Sequence, residues 1–587
     1  MSYGQILIPA VFCGVVAAGG VYSAASPSST VAELERQISL GKSNLVICGS
    51  EHRDVVRQAA KQCGVPLSRV LVAESFPSYS LKSLEGDVDA ISDMRLQWKR
   101  ITDPRELKKS VITILWSSGT TGLPKGVSLS HLNLVAETYI GMIQNRMFVA
   151  KVLEADPNGW PAIEYRTLGH LPISHIAGFM SYLIIPMYMS GAVYWMRKYN
   201  WPDLVKYMRE YKITAFYTVP SIYLRISKSP EARDAFQHVV AASTGAAPMD
   251  SALQTSSNAQ LGDGKTTFIG QTWGLSETTG AVTAIPTGQP DTTGCIGYIL
   301  PNCELRMVDD NYNDVEPGQE GELLIRAPMV MEGYWNNEQA TKDTFYDFKD
   351  DDKGPWFCSG DIGVMRDGKF YVVDRKKELL KYKGLQVAPA ELENLLFTHP
   401  AVAEAAVVGV PAPDDPGTDL PRAYIVLKRE QASGSSSSTS TSSAGQDSSK
   451  QDTLSQTRYS DTKQTPSSSD TSKQDTLSQT RYVDRKGTGS AQQATQSATD
   501  SSKQDTLSQT RYMDVKSTLG SAGDAQLAEE LKKYVADRLA QHKQLRGGIK
   551  FVPEIPKNAI GKFLRRDLRV RAKEEFEEER GIAKAKL

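Results

Sequence analysis

A chain of 587 residues is too long for a single hydrophobic core, so two or more domains are expected. Its 40% hydrophobic and 23% charged content is that of a soluble globular protein and excludes a chain disordered throughout. A formal net charge of −1 removes the electrostatic case for a nucleic-acid partner, and six scattered cysteines without CxxC spacing point to a reducing compartment with neither disulfide framework nor zinc site.

The first apolar run, residues 6–25, imitates a signal peptide or membrane helix. It lacks a basic flank, and Pro9, Gly14, Gly19 and Gly20 interrupt it, so no transmembrane segment is expected. Val111 to Leu115 then reads as a buried strand. It runs into Ser117, Ser118, Gly119, Thr120 and Thr121, followed by Gly122-Leu123-Pro124-Lys125. Hydroxyls and closely spaced backbone N–H groups after a strand make a good anion cradle, and Lys125 adds a positive charge. The order is wrong for the common P-loop, since no Gly-Lys-Ser/Thr closes a Gly-x-x-x-x-Gly frame. A Ser/Thr/Gly-rich surface turn is the bland alternative.

Through about residue 375, strand-like runs alternate with amphipathic stretches, as in 203–211 followed by 213–219, which argues for a layered α/β body. A smaller α/β unit begins near Glu378, with strands expected over 403–410 and 423–427. Residues 431–523 interrupt it. They are rich in Ser, Thr, Gln and Gly, and one eleven-residue segment recurs identically at 449–459, 472–482 and 502–512. Such composition buries too little surface to offset ordering entropy, so disorder is expected. Lengthening a loop from about 10 to about 93 residues adds only about 2 kcal/mol of closure entropy, so the insertion should be tolerated and dispensable for chemistry.

Downstream of the 117–125 run stand Gly270-Gln271-Thr272-Trp273-Gly274-Leu275-Ser276-Glu277-Thr278 and Trp356-Phe357-Cys358-Ser359-Gly360-Asp361. Then come Asp374-Arg375-Lys376-Lys377, Lys381-Tyr382-Lys383-Gly384 and Pro556-Lys557-Asn558-Ala559-Ile560-Gly561-Lys562. In this order the set resembles the acyl-adenylate-forming superfamily. Val387 to Glu393 and Leu545-Arg546-Gly547-Gly548 look most like its 4-coumarate–CoA ligase and beetle luciferase branch. Members of that branch carry several dozen residues ahead of the first apolar helix that are not in this sequence, and they place that helix in the core.

The resemblance implies a mixed α/β fold: a large N-terminal adenylate-forming domain (1–375) and a small, mobile C-terminal domain (378–587) turning about Lys377. It implies an acyl-CoA ligase using ATP, Mg²⁺ and coenzyme A. Ser117, Ser118, Gly119, Thr120, Thr121 and Lys125 would hold the phosphates. Gly245, Ala246, Ala247, Gln271, Thr272, Trp273 and Ser276 would surround the nucleotide, with Trp273 stacking on adenine where relatives have tyrosine. Asp361 and Arg375 would meet the ribose and phosphate, and Glu277 the metal. Lys562 resembles the lysine that bridges the substrate carboxylate and the α-phosphate; Lys381 and Gln386 lie on the loop presented for thioester formation. His175, Ala177 and Ser181 would line the acyl tunnel, where Ala177 replaces a tyrosine and makes the pocket roomier. Lys198, Lys383 and Gly384 would meet coenzyme A.

The final Ala585-Lys586-Leu587 resembles the peroxisomal Ser-Lys-Leu address, so the peroxisome is the expected location, with the cytoplasm as the alternative, and an import receptor is an expected partner. Three alternatives stay open. A luciferase-like adenylating oxygenase shares these motifs, and an inactive binding protein would keep them without turnover. An adenylation domain for peptide synthesis fits less well, because no carrier domain follows.

Overall fold

The computed structural model describes residues 1–86, 88–92, 96–117, 124–157, 164–264, 267–286, 289–383, 385–413, 415, 418–428, 481–482, 521–557 and 563–585; at 481–482, 521–522 and 580–585 it describes the backbone alone. Parallel strands require crossovers, and the chain from 166 to 275 supplies them. Strands Arg166–Gly169, Ala192–Trp195, Ala215–Thr218, Ala241–Thr244 and Ile269–Leu275 are interleaved with helices Trp201–Glu210, Pro220–Lys228 and Ser251–Asn258. In space they run 269–275, 241–244, 215–218, 166–169, 192–195, all parallel. Gly280–Ala284 and Tyr298–Ile299 extend the sheet antiparallel.

The helix and strand expected over 203–211 and 213–219 fall at Trp201–Glu210 and Ala215–Thr218. Asn200 caps that helix by accepting from the Asp203 N–H at 2.9 Å, with proline in its first turn. Trp201, Leu204, Val205 and Met208 form its buried stripe and join Phe216, Tyr223 and Phe236 in one core cluster.

A second sheet orders Tyr22–Ser23, Val111–Ser117, Lys125–Ser130 and Gly333–Tyr334. Val111–Ser117 and Lys125–Ser130 pair antiparallel with Ser117 opposite Lys125, so the proposed phosphate loop closes a hairpin. The first apolar run forms a helix only over Leu7–Ala17, and that helix buries only Ile8 and Phe12. Cys13 and Gly14 are exposed, which corrects the expectation of a wholly core helix: its glycines and alanines lack the side chains to fill both faces. Among the described residues no helix is long and apolar enough to cross a membrane.

In the small domain, strands Val402–Pro411, Asp419–Leu427 and Gly548–Phe551 form one sheet covered on both faces. The period of two divides its side chains. Ala405, Val407, Ala423 and Ile425 face Leu392, Leu396, Leu531 and Val535, while Ala406, Val408, Val410 and Tyr424 face Leu568 and Ala572. Most of the 431–523 insertion lies outside the described residues. Two exceptions qualify the expectation of uniform disorder. Arg481–Tyr482, the end of the second repeat copy, pairs parallel with Tyr194–Trp195, and helix Ser521–Ala536 begins within the last three insertion residues.

Arg422 is the polar tie of this domain. Its side chain is 2% exposed and donates to the Gly547 carbonyl at 2.9 Å, to Glu575 at 3.2 Å and to Glu579 at 3.0 Å. Hydrogen bonding from Arg422 holds the Glu579 carboxyl down at about 2, with Lys550 adding to it. A carboxylate lowered in this way stabilises the fold above its unfolded value near 4.3, and that contribution is lost as pH falls toward 2. Arg422→Ala should therefore destabilise the protein by about 2 kcal/mol at pH 7. The loss is smaller than for a fully buried pair, because Arg571 and Lys550 still pair with the partly exposed glutamates. Chemical denaturation at pH 7 and pH 3 checks this: the gap between wild type and variant should narrow at pH 3, and an equal gap at both would contradict the assignment.

Candidate active site

In open α/β sheets, ligands bind off the carboxyl ends of the parallel strands, where backbone N–H groups and loop side chains converge. Several residues singled out in the sequence fall there. His175 follows strand 166–169, Lys198 follows 192–195, Gly245, Ala246 and Ala247 follow 241–244, and Thr272 and Trp273 lie one and two residues beyond the Thr244–Gln271 register pair. Ala246 adopts a left-handed φ of +69°, a strained conformation for a residue with a Cβ. A side chain at Gly245 would come within 2.5 Å of the Tyr217 hydroxyl and 3.0 Å of Thr272 Oγ1, so glycine is required for this close floor.

Gln271 is placed differently from the expectation of a nucleotide contact. Both ends of its buried amide are used by one backbone unit: Met249 N–H donates to Oε1 at 3.1 Å, and Nε2 donates to the Met249 carbonyl at 2.8 Å. It fastens the loop after 241–244 and thereby positions Gly245 to Ala247.

Two polar groups assemble around the strand 269–275. In the first, Trp273 is buried and its indole N–H donates to Asp361 at 2.8 Å, while Arg375 Nε lies 3.2 Å from the other Asp361 oxygen. Glu322, distant in sequence, braces this group by accepting from the Gly360 N–H at 3.1 Å and from Lys376 at 2.9 Å. In the second, Glu277 is 8% exposed in the short turn Ser276–Thr278 and accepts from the Tyr334 hydroxyl at 2.9 Å. Lys125 lies 4.7 Å from the centre of the Tyr334 ring. Tyr334 thus links Lys125 to Glu277. Tyr334 is not among the motif residues singled out in the sequence, because its contacts form only once Gly333–Tyr334 pairs with Lys125–Ser130.

His175 caps the helix Ile176–Phe179: the Ala177 N–H donates to its Nδ1 at 3.2 Å, so the neutral ring carries its proton on Nε2. Ser181 is buried in a π-helical turn, Met180–Ile184, a distortion frequent at functional sites. An apolar groove of about 340 Å³ lies nearby between Phe12, Leu134, Ile184 and Met187. Its lining is almost wholly carbon and carries no chemistry.

Around Lys377, Arg565 pairs with Glu378 at 2.6 Å and Glu393 at 2.5 Å, and Arg569 donates to the carbonyls of Lys377 and Glu378. Lys381 and Gln386 face each other across the hairpin Leu380–Tyr382 and Leu385–Val387, both exposed. Lys383 is left-handed at φ +48°, with its N–H on Thr418. Lys198 is exposed. Ser118, Gly119, Thr120, Thr121, Gly384, Lys562, Lys586 and Leu587 lie outside the described residues, although the flanks of the Lys562 loop, Lys557 and Phe563, form an antiparallel bridge.

Comparison with known proteins agrees with this arrangement. ATP-bound MatB from Rhodopseudomonas palustris superposes with a TM-score of 0.67 over 98% of this chain and 88% of its own, at 20% identity, which shows that the two chains share a fold. A provisionally named acyl-coenzyme A synthetase of Emericella nidulans is 38% identical over 577 residues, 98% of this chain and 84% of that protein. The 4-coumarate–CoA ligase 1 of Arabidopsis thaliana is 31% identical over 424 residues, covering 70% of this chain and 71% of that one. Residues 6–335 match the sequence profile of the AMP-binding enzymes, and residues 391–442 that of the AMP-binding enzyme C-terminal domain. The chain belongs to the AMP-binding enzyme family.

Proposed function

We propose that this AMP-forming acyl-CoA ligase works with magnesium in the peroxisome on an acid of specialised metabolism. The acid's carboxylate oxygen attacks the α-phosphorus of ATP and pyrophosphate leaves. The thiol of coenzyme A then attacks the acyl carbon and AMP leaves. Catalysis of the first step is mainly positioning and stabilisation of charge on the phosphate oxygens. Magnesium would neutralise that charge, and a single carboxylate, Glu277, with the Ser276 hydroxyl beside it suits an ion that takes its other ligands from phosphate and water. Lys125 would meet the outer phosphates and Arg375 the ribose or α-phosphate, while Asp361 offers the ribose hydroxyls an acceptor.

The observation that carries the reading is that Trp273–Asp361–Arg375 and Lys125–Tyr334–Glu277 converge on one strand end. ATP–pyrophosphate exchange over a panel of acids, with mass spectrometry of the thioesters, tests it. Acid-dependent exchange and a CoA thioester are expected. ATP binding without exchange for any acid would instead leave an inactive binding protein, and light emission with a luciferin an oxygenase.

Localisation has its own test. A reporter carrying the last dozen residues should collect in peroxisomes, and deletion of Leu587 should return it to the cytosol. A diffuse signal with the intact tail would refute the address.

A further inference from the structure

The segment carrying Lys562 is closed at its base: Lys557 and Phe563 form an antiparallel bridge, and the Leu564 N–H donates to the Pro556 carbonyl at 2.9 Å. Helix Arg565–Ala585 begins directly after it, and Leu568 and Ala572 seat that helix on the small-domain sheet. The Arg565 side chain is 14% exposed, and its two terminal nitrogens go to different elements, Nη1 to Glu378 at 2.6 Å and Nη2 to Glu393 at 2.5 Å. One turn on, Arg569 donates to the Lys377 carbonyl at 3.2 Å and to the Glu378 carbonyl at 3.3 Å.

Two carboxylates of this cluster are anchored in turn. Glu393 is buried in helix Pro389–Phe397, where its other oxygen accepts from the Val407 N–H at 2.7 Å. Asp374 faces the same guanidinium: burial pushes its carboxyl up, and the Arg565 charge opposes that rise. Its oxygens accept from the N–H groups of Arg375 at 2.7 Å and Ala390 at 3.1 Å. One side chain thus gathers the residue before Arg375, the residue after Lys377 and the helix that follows Lys562. A buried ion pair is expensive to desolvate and adds little net stability over apolar packing, so the contribution of this fork is orientation.

We propose that Arg565 is a positioning residue for adenylation, which holds the helix start that follows Lys562 against the Lys377–Glu378 backbone and so sets where the Lys562 amine meets the reacting phosphate. The inference rests on the ligase reading and adds to it a residue that acts only through Lys562. Lysine at this position keeps the charge but is a single point donor, unable to span Glu378 and Glu393 together. A displacement of about 1 Å at a reacting group costs up to about 100-fold in rate.

Arg565→Lys should lower kcat for acyl-adenylate formation by about 10- to 100-fold, keep the KM for ATP within about threefold, and leave the supplied acyl-AMP reaction unchanged. In a Lys562→Ala background it should cause no further loss, because the group it positions is gone. Arg566→Ala removes an exposed neighbouring cation and, as the control, should match wild type. Amide hydrogen exchange reads the same tie without turnover. In Arg565→Lys, peptides covering 556–564 should exchange faster, while strands Val402–Pro411 and Asp419–Leu427 keep their protection. A fall shared equally by both half-reactions, a further fall in the Lys562→Ala background, or unchanged adenylation would overturn the proposal. Should Arg565→Lys melt early, Glu378→Gln weakens the same tie from the other end and is read by the same outcomes. If no acid supports ATP–pyrophosphate exchange in wild type, the ligase reading fails separately and amide exchange decides. Faster exchange confined to 556–564 upholds the positioning, and exchange unchanged or raised across the whole small domain overturns it.

Discussion

Lys562→Ala should lose 100- to 1000-fold in acyl-adenylate formation while still converting supplied acyl-AMP and coenzyme A to thioester. Charge develops on the α-phosphate during adenylation, and removing one preorganised donor to such a charge costs about 2.7–4 kcal/mol. Lysine suits the role as a compact charge on a flexible stem. Lys381→Ala, on the exposed hairpin after Lys377, should show the opposite pattern, with its larger defect in the supplied acyl-AMP reaction. Rapid-quench measurement of each half-reaction separates the two. Equal depression of both steps by both substitutions would contradict rotation about Lys377.

Gly274→Ala should be the most damaging small substitution in the large domain. A Cβ there would lie 1.6 Å from the Gly280 carbonyl oxygen, backbone that cannot swing aside. The strands 269–275 and 280–284 would have to part at the irregularity between Trp273 and Gly274, moving Trp273, Glu277 and Ala281 together. A cost above about 4 kcal/mol is expected, with nucleotide binding lost. Gly141→Ala is the control. It sits on an exposed helix face with nothing nearer than 4.0 Å and should gain about 0.5–1 kcal/mol. Thermal denaturation and calorimetric AMP titration of the two variants check both directions, and a Gly274→Ala protein that melts and binds like wild type would refute the strand register.

The motifs were legible because ligand-facing loops need unusual residues: glycines where backbones touch, hydroxyls and charges where a core would have carbon. Strand and helix alternation was legible for the same periodic reasons, down to the 201–210 helix. Partners remote in sequence were not. Nothing local marks Glu322 as the brace of Gly360 and Lys376, or Tyr334 as the link between Lys125 and Glu277, because those contacts exist only after several strands pair. The side-chain amide of Gln271 makes another contact that no local pattern marks. An amide beside an adenine motif looks like a ligand contact until its two ends are seen closing on Met249.

The small-domain sheet has a consequence for how the protein is made. Strand Asp419–Leu427 lies beside Gly548–Phe551, in register from Arg422–Gly548 to Ile425–Phe551, and Arg422 is tied to Glu575 and Glu579 farther on. At 5–20 residues per second, translation of the 120 residues between Leu427 and Gly548 takes about 6–24 s. For that interval Val402–Pro411 and Asp419–Leu427 have emerged as a hairpin with one edge bare and one apolar face uncovered. The large domain, complete by residue 375, has time to fold first. The half-made small domain must then wait, and it is the stage at which this chain is most exposed to aggregation on the ribosome.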